Sequence, residues 1–162
     1  MINRARSLRT IAGVLAAAAL LVLGTSALAA VPKKGRADSS KLHLAITHTA
    51  GGFNYSAGDG TDKVLGPVVV TYKVKPVPMS NGTIKVTVPK ARLWVSNGTL
   101  RGTASADLTV TDSKGDAKLT NGKFSLTKGT GGQRGHSEVG TFTGKGNVNG
   151  GVYTLVTKGT YR

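Results

Sequence analysis

An all-β fold, an antiparallel β-barrel of about eight strands, is what this sequence predicts, and three observations carry the prediction. Apolar residues alternate with period two in run after run beyond residue 40, while helical spacing is hard to find. Asn-Gly or Asp-Gly pairs fall between or beside these runs at 59–60, 81–82, 97–98, 121–122 and 149–150. Asn and Gly tolerate the positive φ that a tight hairpin turn demands. The composition agrees: 23 Gly and only 5% aromatics in 162 residues suit strands and turns rather than a helical bundle.

Residues 1–29 read as an address. Arg4, Arg6 and Arg9 precede an unbroken apolar stretch, Ile11 to Leu23, and Ala27-Leu28-Ala29 supplies the small-x-small cleavage pattern of a secretory signal peptide. The stretch of 13 residues falls short of the roughly 20 that span a bilayer. The arginines are not adjacent, so the route is of the Sec type, with cleavage expected after Ala29. Cleavage would remove those three arginines and take the formal net charge from +15 to +12. Residues 30–40 (AVPKKGRADSS) combine Pro, Gly and basic residues with little apolar content, and are expected to be a flexible basic lead-in. Residues 41–162 are then a single barrel domain, and the product is expected outside the cell.

Leu42, Leu44 and Ile46 alternate with His43, Ala45 and Thr47 to give the first strand. Val68, Val70, Tyr72 and Val74 share a parity in the next clear run, which ends in Pro76 and Pro78. Prolines two apart point their missing N–H groups to one side, as at a protected edge or a strand end. Ile84, Val86 and Val88 follow. The pair Asn97-Gly98 predicts a two-residue hairpin that sets Val95 opposite Leu100, Leu93 opposite Gly102, and Trp94 opposite Arg101, with the guanidinium stacked on the indole. The longest run puts Leu100, Gly102, Ala104, Ala106, Leu108 and Val110 on one face. Tyr153, Leu155, Thr157, Gly159 and Tyr161 alternate almost to the last residue. Long strands of this kind without a helix close as a barrel or stack as a β-sandwich. The length of the 100–110 run and the final strand favour the barrel, with the sandwich as the alternative.

The same residues narrow the chemistry. The absence of Cys excludes disulfides, thiolate metal sites, a cysteine nucleophile and a lipoprotein anchor. His43 and His48 are an odd number apart, so on a regular strand they face opposite ways and cannot chelate together. No His-x-x-x-His or His-Glu-x-x-His pattern and no carboxylate cluster is found along the sequence, and no metal or cofactor is expected. Among the seven acids, Glu138 shares strand parity with His136 and Phe142, which makes Glu138 and His136 the candidate catalytic pair. Lys128–His136 (KGTGGQRGH) is Gly-rich but lacks the Gly-Lys-Ser/Thr ending of a phosphate loop, and reads as a connection between strands. The sequons at Asn54, Asn81 and Asn97 are read as turn chemistry. The presumed inward face of residues 100–110 is small in its middle. A barrel interior either fills or holds one ligand, so Gly102, Ala104, Ala106, Phe124 and Phe142 are the candidate ligand-binding residues.

Leu126-Thr-Lys-Gly-Thr-Gly-Gly-Gln-Arg-Gly-His136, Gly140-Thr-Phe-Thr-Gly144 and Tyr153-Thr-Leu-Val-Thr-Lys-Gly-Thr-Tyr-Arg162 together resemble the bacterial secreted allene oxide cyclase-like barrels, relatives of the plant cyclases and dirigent proteins. Arg101-Gly-Thr-Ala-Ser-Ala-Asp107 fits the same scheme, so the resemblance covers about residues 90–162. It implies an eight-stranded barrel with an apolar interior, often assembled as a homo-oligomer, and an activity steered by shape. No catalytic carboxylate of that family maps onto a position here. The reading from the residues is a secreted, non-catalytic barrel that binds a small apolar ligand inside or an acidic cell-wall polymer or other anionic surface outside. The rivals are a cofactor-free cyclase or dirigent-type enzyme and a basic cell-surface adhesion protein. Basic and aromatic residues do not interleave along the chain, so specific nucleic-acid binding is not expected.

Overall fold

A computed structural model describes residues 35–79 and 82–162. Its strands are β1 (Arg36–Asp38), β2 (Ser40–Ala50), β3 (Phe53–Asp62), β4 (Gly66–Pro78), β5 (Thr83–Val95), β6 (Gly98–Val110), β7 (Asp116–Gly131), β8 (Glu138–Asn147) and β9 (Val152–Tyr161). From β2 to β9 each strand pairs antiparallel with the next, and β9 returns to pair with β2. Eight strands thus close a barrel, and closure removes the exposed edges that an open sheet would present. The ninth, β1, continues past β2 along the same side of β9, with Asp38 opposite Gly159. No helix occurs among the described residues. The expected signal peptide lies outside them, as do the first residues of the lead-in and Asn81.

The lead-in is shorter than its composition implies. Residues 36–38 form β1, and Asp38 and Ser40 are both buried. Their parity runs on into Leu42 and Leu44, so the inward face of the barrel begins with polar residues where hydropathy alone shows no strand.

Period-two alternation sends one parity of each strand inward. Leu42, Leu44, Val68, Leu93, Leu100 and Leu126 form one buried cluster, and Ala106, Leu108, Ala117, Leu119 and Phe142 form a second. Phe124, Tyr153 and Leu155 pack against both. Val110, at the end of β6, shares the inward parity but is exposed, one residue beyond the last pair with β5.

Turn chemistry is distributed differently from the Asn-Gly and Asp-Gly pairs. The β2–β3 hairpin turns on Gly51 and Gly52, both at positive φ (56° and 73°), as a two-residue primed turn requires. Asp59-Gly60 lies inside β3, where a Cβ on Gly60 would collide with the Lys41 carbonyl oxygen. Asn121-Gly122 forms a bulge within β7, with Asn121 at φ 53°. The β5–β6 hairpin turns on Ser96-Asn97, which pairs Val95 with Gly98, Leu93 with Leu100 and Arg92 with Arg101. This shift of two positions keeps every side chain on its expected face but changes its partner. Arg92, rather than Arg101, lies over the Trp94 ring, 4.9 Å from the centroid. The turn moves because Asn97 is held from outside the hairpin. Its carbonyl accepts the Gly132 amide (2.7 Å), and its side-chain oxygen accepts Gln133 Nε2 (2.8 Å). Pro76 and Pro78 sit where β4 has run past the end of β3, paired only with β5.

Candidate functional site

The barrel is hollow. A cavity of about 370 Å³ runs inside it, walled mainly by apolar side chains such as Leu42, Val70, Val86, Leu119 and Leu155. Of the candidate ligand-binding residues, Ala104, Phe124 and Phe142 line it. Gly102 and Ala106 do not: Gly102 faces the β7 backbone, where a Cβ would meet the Ser125 carbonyl oxygen, and Ala106 is packed in the second core cluster. Small residues at the middle of β6 therefore serve both outcomes, with part of the space filled by the two phenylalanines and part left open.

One end of the cavity is acidic. Glu138 and Ser40 line it there, and Glu138, Asp62 and Asp38 place carboxyl oxygens within 4.8 Å of one another. All three residues are at most 5% exposed. They come from three separate places in the chain. Glu138 opens β8 and lies opposite Tyr161 of β9. Asp62 closes β3 opposite Ser40, and its carboxylate accepts the Val64 and Leu65 amides (2.8 and 2.7 Å) to form the tight β3–β4 turn. Its other oxygen accepts the Ser40 hydroxyl at 2.6 Å. Asp38 reaches the group from β1; one oxygen accepts the Ser39 amide (2.7 Å), and the other is buried without a hydrogen-bond partner.

Burial first, and then the Asp62 and Asp38 charges, push Glu138 up from 4.5 to about 8. Burial and the neighbouring Asp62 push Asp38 up to about 6, against the pull of the Ser39 amide. At neutral pH the group therefore carries a proton on Glu138. Two phenols join it in the wall, Tyr72 and Tyr153, and burial drives Tyr72 up to about 12 and Tyr153 upward as well. Ser56, on β3, is buried and lines the cavity opposite Tyr72 of β4, and its hydroxyl partly offsets the upward push on that phenol.

A calcium-like cation needs roughly six to eight oxygens, and both Asp62 oxygens already accept hydrogen bonds from within the protein. The donor set fits a proton-sharing carboxyl cluster better than a cation cage. This carboxyl cluster corrects the expectation that none exists: Asp38 and Asp62 are not legible as site residues, because only the β1–β9 and β2–β3 registers bring them to Glu138. His136 goes elsewhere. It sits in the loop before β8 with its ring stacked on Tyr161 (centroids 5.1 Å apart) and Nδ1 3.0 Å from the Arg162 carbonyl oxygen, and it does not line the cavity.

Set against family models, curated proteins and solved structures, the chain matches none. The site must therefore be read from its own geometry.

His43 and His48 show how that geometry departs from a regular strand. A bulge in β2 between Ile46 and His48 leaves both exposed. His43 meets Thr154 at 3.3 Å, while His48 stacks on Tyr55 with centroids 4.4 Å apart. In the loop before β8, Gln133 is buried and accepts the Tyr161 hydroxyl at 2.8 Å.

Proposed function

We propose that this protein binds a small, mostly apolar molecule inside the barrel, with an oxygen-bearing head group seated against Glu138. The observation that carries the reading is the cavity itself: about 370 Å³ of largely apolar space ending in a few convergent polar groups. A carboxyl that keeps its proton at neutral pH is a donor, matched to a carbonyl, ether or epoxide oxygen. Ser56 and Tyr72, which face one another in the cavity wall, offer further polar contacts. The resemblance to allene oxide cyclase-like barrels supports the same reading, and the leader at residues 1–29 supports secretion.

Native mass spectrometry of residues 30–162 recovered from the host's medium tests it, with a small-molecule adduct as the expected result. Ala104→Phe should fill the cavity and weaken binding at least about tenfold, with only a small change in melting temperature, because the new ring enters existing space. Unchanged affinity in that variant would place the ligand elsewhere.

One observation favours a second reading. A protonated carboxyl at the end of a mostly apolar cavity can serve as a general acid, and Glu138 occupies that position. A cofactor-free cyclase would use it to protonate a substrate oxygen as a ring closes. Glu138→Gln should then retain the ligand and abolish turnover, whereas a pure binding protein would show no turnover in either form.

A further inference from the structure

The outer wall carries a basic row, one member of which, Arg92, also borders the interior cavity. Thr71, Arg92, Arg101 and Lys128 lie directly side by side across β4, β5, β6 and β7. Neighbouring strands are about 4.8 Å apart, so three cations stand in a row about 10 Å long. Lys73 and Lys90, opposite one another on β4 and β5, lie in the adjoining rung. Like charges placed directly opposite destabilise a sheet. Elsewhere on the same strands the pairing is complementary, with Lys85 opposite Asp107.

Three bulges coincide here. The registers shift between Lys73 and Lys75 on β4, between Val88 and Ala91 on β5, and between Arg101 and Gly102 where β6 meets β7. Bulges re-aim side chains and bend the sheet locally, and together these border a groove lined by the five cations and by the hydroxyl residues Thr71, Thr103 and Thr127. Among the described residues no carboxylate lines it. Two of the cations are held in place by rings: Arg92 over Trp94, and Lys73 Nζ 3.8 Å above the centroid of Phe53.

We propose that this groove binds an acidic polysaccharide, its carboxylate or sulfate groups seated along Arg92, Arg101 and Lys128 and its hydroxyls against the threonines. Single-stranded nucleic acid is the less suitable polyanion, because binding it relies on free aromatic faces for base stacking. The nearby rings are already engaged, Trp94 by Arg92, Phe53 by Lys73 and Tyr55 by His48.

The test is binding of fluorescent polygalacturonate to the protein expressed in its own host, at about 50 and 150 mM salt, where charge-driven binding differs strongly. The double variant R101S/K128S should bind at least about tenfold more weakly and show a shallower salt dependence. K118S/K145S removes the same charge from an opposed pair on β7 and β8 and should change affinity by less than about twofold. All four positions are exposed, and unchanged circular dichroism keeps the comparison valid. K128S alone should give a partial loss. Equal weakening by both double variants would overturn the proposal in favour of net charge. Absence of binding by the parent protein would overturn it outright, and tighter binding of single-stranded DNA through the same cations would overturn the choice of partner.

Discussion

Glu138→Gln should make the protein more stable near pH 8 than its parent, and should flatten a stability profile that otherwise falls as pH rises. Glu138 moves from 4.5 to about 8 on folding. Between those values the folded state holds a proton that the unfolded chain has released. The group's contribution is therefore fully present below about pH 4.5, is lost progressively up to about pH 8, and is constant above. A shift of one unit corresponds to about 1.4 kcal/mol, so the total for Glu138 is on the order of 5 kcal/mol. Asp38, raised from 3.8 to about 6, adds a decline of the same sign at lower pH. The net positive charge works the other way, because self-repulsion grows as the pH falls. That opposing effect is nearly the same in both proteins, so their difference isolates Glu138. Urea unfolding from about pH 4 to pH 9 measures it. The parent should lose several kcal/mol relative to Glu138→Gln across that range, and parallel profiles would show that Glu138 is ionised in the fold.

The barrel was legible because its signal is local. Alternation in residues 42–46, 68–74, 84–88, 100–110 and 153–161 assigns each strand its inward parity, and the structure keeps those faces. Register is less local. At Asn97-Gly98 the dipeptide favoured one turn, but contacts from Gly132 and Gln133, more than thirty residues away, select another. The shift of two left the faces intact, because a two-residue slip preserves side-chain parity where a one-residue slip would invert it. Gly51-Gly52 carried as strong a turn signal as any Asn-Gly pair.

The site was legible only in part, for a related reason. Glu138 stood out because its parity matched that of Phe142. Asp38 sat in a stretch whose Pro, Gly and Lys content marked it as lead-in, and Asp62 sat in SAGDGTD, which composition marks as a loop. Neither acid has an apolar neighbour in sequence to announce burial. The three meet only because β9 pairs with β1 and β2 on one side and with β8 on the other. The basic row on the outer wall was hidden in the same way. Arg92, Arg101 and Lys128 are widely spaced along the chain and become neighbours only through the registers of β5, β6 and β7.

Leu100→Ala should be the most damaging single truncation in the core, at about 3 kcal/mol within the 2–5 range for such changes. Leu100 is 0% exposed and belongs to the cluster of Leu42, Leu44, Val68, Leu93 and Leu126. Two terms add: the lost transfer of the side chain out of water, and the void left behind. The void should persist, because the surrounding strands belong to a closed barrel whose hydrogen bonds resist collapse. For a domain of this size the loss corresponds to a fall of about 10 °C in melting temperature. Leu119→Ala provides the contrast. Leu119 is also buried but lines the existing cavity, so its truncation enlarges a space the fold already tolerates and should cost about 2 kcal/mol. The two should also separate in binding. Leu100 does not line the cavity, so Leu100→Ala should keep the parent's ligand affinity at temperatures where it remains folded, whereas Leu119→Ala should change it. Calorimetry of both variants with and without ligand decides the matter. Loss of affinity in Leu100→Ala with none in Leu119→Ala would mean that the ligand occupies a different part of the barrel.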